Sequence, residues 1–165
     1  MSDSTHHPTL DEIQAALASL AHRVLGDSSA RLDPEVRDEI LCVIDELERF
    51  IPGLDAPPDL PGAEQLSAAA AAALMHGRPR IALARALRGL SHAPHHAELH
   101  YLASSACFEL AAITEAVRFL AHALWVNPGH HKARREMDLL SASDDPGWWD
   151  AGEASGDDSG NERAA

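Results

Sequence analysis

The chain has 165 residues, 45% of them hydrophobic but only 4% aromatic, and a formal net charge of −13. That length supports one modest core with appendages rather than two domains. Abundant alanine and few β-branched residues favour helices packed on small side chains over a β-sandwich.

Charge divides the chain into three parts. Residues 1–62 carry 13 acidic and 4 basic side chains, residues 63–141 carry 6 and 8, and residues 142–165 carry 7 and 1, giving −9, +2 and −6. A faintly basic middle between two acidic arms argues against nucleic acid as a partner, because phosphate binding needs a cationic face. No apolar run approaches the ~20 residues that span a bilayer, so a cytoplasmic chain with no membrane partner is expected.

Residues 1–8 are polar and are expected to be disordered. Thr9 followed by Glu12 is a capping-box pair, and Leu10, Ile13, Leu17, Leu20 and Val24 recur at helical spacing until Gly26 offers a stop. Asp33 and Pro34 supply an N-cap and a first-turn proline. Val36, Ile40, Val43, Leu47 and Phe50 then repeat that spacing up to Pro52 and Gly53. Residues 9–51 therefore read as a helical hairpin. The prolines at 52, 57, 58 and 61 make residues 52–62 a stiff, extended connector.

Residues 63–141 carry an internal repeat. A shift of 34 positions lays Pro94 on Pro128, Ala82 on Ala116, Ala86 on Leu120, Leu90 on Leu124 and Leu66 on His100. Thirty-four is the period of a helix-turn-helix repeat. Each unit reads as a first helix (64–76, then 98–110), a turn (Gly77, then Ala111 and Ala112), a second helix (79–91, then 114–126) and a closing proline. Residues 131–140 suit a solvating, capping helix.

The pattern resembles the tetratricopeptide repeat family. The residues that carry the likeness are the small pairs Ala70/Ser104, Ala82/Ala116 and Gly89/Ala123, with the closing Pro94/Pro128. Small residues at a helix crossing let the axes approach while bulky neighbours interlock around them. The large aromatic that the family places early in the first helix is replaced here by Leu66 and His100. The fold class expected is all-α, a tetratricopeptide-like solenoid of about two repeats plus a capping helix, preceded by the helical hairpin. Two repeats are fewer than the three that usually bury a continuous core, so the open ends need covers. The hairpin either stacks on the repeats, which we favour, or pairs with a second copy in a homodimer through its heptad-like stripe.

The candidates for chemistry are few. Eleven histidines include His92, His96 and His100 at spacings of four, but Pro94 separates them onto different elements, so histidines of an inter-repeat turn are expected and no metal site. Cys42 and Cys107 lie in apolar helical stretches and read as buried thiols of a reducing compartment, inert as nucleophiles. Glycine-rich phosphate loops, CxxC pairs and nucleophile elbows are absent from the sequence. We expect no enzyme and no cofactor.

Binding remains. By resemblance, the first helices line a groove for a peptide or partner helix, at Ser67, Ala71, Leu74 and Met75, then Tyr101, Ser105, Phe108 and Glu109, then Arg135. Met75, Tyr101 and Phe108 would anchor an apolar partner; the alternative is that they pack beneath the N-terminal hairpin. One subclass of the family clamps C-terminal carboxylates with lysine, asparagine and arginine. Its positions correspond to Ser67, Ala71, Leu102, Lys132 and Glu136, of which only Lys132 fits, so that activity is not implied. The acidic tail, residues 142–165, is expected to be disordered, yet it holds Trp148 and Trp149 side by side, a candidate docking motif. The function expected is a scaffold or adaptor with a protein or peptide partner. The alternatives are a type III secretion translocator-type chaperone, which is similar in size and order of parts, and a histidine-dependent metal sensor or enzyme.

Overall fold

The computed structural model describes residues 6–50 and 58–142. They form seven helices: α1 (Leu10–Gly26), α2 (Pro34–Arg49), α3 (Leu60–Met75), α4 (Pro79–His92), α5 (Ala97–Glu109), α6 (Ile113–Val126) and α7 (His131–Ala142), with no strand among the described residues. The all-α, helical-hairpin class read from the sequence is the one observed.

The caps act where the sequence put them. Thr9 N donates to Glu12 Oε2 at 2.8 Å and Glu12 N to Thr9 Oγ1 at 3.3 Å, closing the capping box of α1. Asp33 Oδ1 accepts from Glu35 N at 2.8 Å at the head of α2. One boundary differs. Helix α3 begins at Leu60, inside the stretch expected to be extended, because Pro61 occupies a first-turn position where a missing N–H costs nothing. Asp59 Oδ1 accepts from Gly62 N at 3.1 Å. A Cβ on Gly62 would lie 2.3 Å from Asp59 Oδ2, so the cap relies on glycine there.

From α3 onward the molecule repeats itself in space. Helices α4 and α6 both start and end 34 residues apart, as do the ends of α3 and α5 and the starts of α5 and α7. The turns repeat as well. Gly77 (φ 65°) and Ala111 (φ 58°) are both left-handed, and each is followed by the same closing bond, Arg78 N to Ala73 O and Ala112 N to Cys107 O, both at 2.9 Å. Pro94 and Pro128 each follow a second-helix cap, Ala93 and Asn127. The small residues Ala70, Ser104, Ala82, Ala116, Gly89 and Ala123 are all buried. At Gly89 the approach is close enough that a Cβ would meet Leu99 Cδ1 at 2.7 Å.

The N-terminal hairpin lies against the second helices. Helix α1 runs antiparallel to α4: Gln14 Nε2 donates to Ser91 O (3.0 Å) at one end, while Arg80 donates to Val24 O (3.3 Å) and pairs with Asp27 (3.2 Å) at the other. Helix α2 runs beside α6, tied by Arg37 to Glu115 (2.9 and 3.1 Å) and by Arg118 to Asp45 (2.6 Å) and Glu48 (3.2 Å). The stripe of Ile13, Leu17, Leu20 and Val24 is fully buried in one core shared with α4 to α6, so it is not left over for a seam with a second copy. The hairpin packs within the chain, across the backs of the repeats rather than in line before them.

The two cysteines part company. Cys107 is buried and Cys42 is exposed, both free. The expectation of two buried thiols fails at Cys42 because it lies between Leu41 and Val43, off the α2 stripe that faces the core.

Candidate binding groove

With the hairpin on α4 and α6, the first helices α3, α5 and α7 form the opposite face. The 34-residue shift aligns Ser67, Tyr101 and Arg135, then Ala71, Ser105 and Leu139, then Leu74 and Phe108, then Met75 and Glu109. Met75 is 86% exposed and Leu139 62%. Leu74, Tyr101, Ser105 and Phe108 are half-buried, while Glu109 and Arg135 are exposed.

Between α5 and α7 this face opens into a trough of about 550 Å³ lined by Ser105, Phe108, Glu109, Glu136, Leu139 and Leu140. Each wall is a helical i, i+3, i+4 set, which places three side chains on one face: 105, 108 and 109 from α5, and 136, 139 and 140 from α7. Of the sequence-predicted groove residues, the trough brings together Ser105, Phe108 and Glu109. Tyr101 lies one turn away, and its hydroxyl donates to Glu136 Oε1 at 2.9 Å; burial and the neighbouring Glu136 raise its pKa above the usual phenol value. Met75 and Arg135 belong to the same face but do not line this trough. Leu139 was not singled out from the sequence, although carrying the shift from Ser105 one step further points to it.

Helix α7 is held in place by a charged knot. Glu98 accepts from His130 Nε2 at 2.7 Å and from Lys132 Nζ at 3.1 Å. Burial pushes the Glu98 carboxyl up, but Lys132 and His130 together hold it below its ordinary value. Lys132 also stands 5.6 Å over the Tyr101 ring. The one residue matching the carboxylate clamp is thus committed inside the chain.

The histidines divide as the sequence suggested and then regroup. His92 pairs with Asp59 (2.9 Å) and His96 caps α5, its Nδ1 accepting from Leu99 N (3.4 Å). His100, at the position of the family's aromatic, is fully buried, and its ring lies 6.0 Å from that of Phe119 and 4.1 Å from that of His122. His95 and His122 complete a stack that sequence spacing could not reveal, because His122 comes from the far end of α6. Carbonyl acceptors fix the tautomers. His95 Nε2 donates to Phe50 O (3.1 Å), which leaves Nδ1 to accept from His122 Nε2 (3.2 Å); His100 Nε2 donates to Pro94 O (2.8 Å). Burial first, then His95 and Arg118, push the His122 pKa down to about 4, and burial with His122 pushes His100 well below its usual value. Those shifts keep the His100 and His122 rings neutral at pH 7, and the stack joins the end of α2 to α5 and α6.

Among the described residues no three His, Cys, Asp or Glu side chains converge as a metal site. Burial drives the Cys107 thiol far up, which leaves it protonated and unreactive. Among the described residues, too, no helix is long and apolar enough to cross a membrane. Trp148 and Trp149 lie outside the described residues. No family model matches the chain, and neither curated proteins nor solved structures show a significant likeness to it.

Proposed function

We propose that the chain is a tetratricopeptide-type scaffold or adaptor that holds a peptide or partner helix on the face formed by α3, α5 and α7. One observation carries this reading: the N-terminal hairpin covers α4 and α6, so Met75, Phe108 and Leu139 are not buried beneath it. Met75 at 86% and Leu139 at 62% exposure, with Phe108 and Leu140 beside Leu139 in the trough, leave apolar surface on this face that a partner can cover. A translocator-type chaperone would use this same surface, with a hydrophobic secreted protein as its client.

Met75→Asp and Leu139→Asp test the reading. Both positions are exposed, so unfolding free energy should move by no more than about 0.5 kcal/mol. Capture of a partner by the immobilised wild-type chain should be lost in both variants. A partner retained equally by wild type and by both variants would place binding elsewhere.

A further inference from the structure

We infer that the α5–α7 trough selects a peptide that joins an apolar anchor to an adjacent lysine or arginine. The inference rests on the groove reading above and adds the charge of the occupant. The apolar floor is Phe108, Leu139 and Leu140, and both carboxylates of the lining, Glu109 and Glu136, come from facing walls with no basic residue among them. Glu136 is only half provided for: Oε1 takes the Tyr101 hydroxyl, while Oε2 is shielded from solvent and receives no hydrogen bond. A carboxylate with one oxygen lacking any donor is a costly arrangement, and its charge at the trough wall is left for a cation to offset.

The neighbouring cations do not serve that purpose. Lys132 is taken by Glu98 and Arg134 donates to Pro128 O at 2.9 Å. Arg135 precedes Glu136 directly, so at about 3.6 residues per turn it points roughly 100° around α7 from it. The chain's own tail carries seven acidic side chains and one basic one over residues 143–165, which makes it the poorer occupant.

Selection from a displayed library of random 12-residue peptides against the full-length chain, with the Leu139→Asp chain as counter-target, tests this. Recovered peptides should pair an aromatic or aliphatic residue with a Lys or Arg within one helical turn. Glu109→Gln and Glu136→Gln should each weaken them about threefold to tenfold, while a matched peptide with the cation replaced by Gln should bind wild type and variants alike. Glu109 is exposed, so its variant reports on charge without risk to the fold. Recovery of neutral or acidic peptides, or indifference to both Gln variants, would overturn the charge preference and leave the groove standing. No enrichment over Leu139→Asp would remove the groove itself. Peptides recovered only with the Trp148→Ala/Trp149→Ala chain would make the acidic tail the occupant and overturn the proposal.

Discussion

The two faces of the repeats are built from the same 34-residue unit and have been put to opposite ends. On the back, α4 is buried along most of its length, through Ala82, Leu83, Ala84, Ala86, Leu87, Gly89 and Leu90, because the hairpin closes over the side that the first helices do not reach. On the front, the outer helices bury little, α3 only Ala63, Ala70 and Ala73 and α7 only Ala133, while α5 between them is buried on the side turned away from the groove, through residues such as Leu99, His100 and Cys107. The back is sealed by groups that need each other: Arg37 with Glu115, Arg118 with Asp45 and Glu48, and His95 with both Phe50 O and His122. The front keeps Met75 and Leu139 in water, and on the back Trp125 of α6 is exposed only at the edge of the seal, against His95 and His122. Two repeats lack a continuous core of their own, and here the hairpin supplies it from behind, which is what spares the front.

If the back is the stabilising face, acid should open it before anything else. His122 is held neutral by burial, His95 and Arg118, and His100 by burial and His122, so the unfolded chain binds protons that the folded chain refuses. Stability is complete above pH 6.5, falls as pH drops, and for His122 stops falling near pH 4, where that ring protonates in place. At about 1.4 kcal/mol per pKa unit the loss across this window is roughly 3 kcal/mol from His122 alone. Urea unfolding at pH 7.5 and pH 4.5 measures it. His122→Gln should flatten the dependence, and equal slopes in wild type and variant would show that the stack does not hold the hairpin.

The Arg37–Glu115 pair is the next largest effect. Glu115 is 2% exposed and Arg37 37%, so removing the arginine strands a buried carboxylate while returning a partly wet cation to water. Arg37→Ala should cost roughly 2–4 kcal/mol, at the low end of what breaking a buried pair costs. Adding Glu115→Gln should recover part of that loss. A cost below 0.5 kcal/mol would mean that the hairpin is held by its apolar stripe alone.

The elements were legible in the sequence and their assembly was not. The stripes of α1 and α2, the capping pair Thr9/Glu12 and the 34-residue shift are local signals, and each fell where it was read. The start of α3 was missed because Leu60, Pro61 and Gly62 look like chain breakers until Asp59 is seen to cap them. The seat of the hairpin depends on partners such as Arg37 and Glu115, 78 positions apart, and His95 and His122, 27 apart. No periodicity encodes those pairings. In the groove, Ser105, Phe108 and Glu109 followed from the repeat, whereas Glu136 became a wall residue only once α7 was seated on α6 with Tyr101 bonded to it.

The smallest expected effect compares the two copies of the repeat at their turn. Gly77 and Ala111 occupy the same corner with φ near 60°, and nothing lies within 4 Å of where a Cβ on Gly77 would stand. The corners therefore differ in backbone strain rather than in packing. Left-handed geometry costs an L-residue about 1 kcal/mol relative to glycine, so Ala111→Gly should stabilise the chain by about 0.5–1 kcal/mol and Gly77→Ala should destabilise it by a similar amount. Thermal unfolding of the two single variants and their combination measures both. Opposite signs that cancel in the double variant would show that the α3–α4 and α5–α6 corners are mechanically equivalent. Effects of the same sign would mean that the copies turn differently, and the shared front face would lose its common frame.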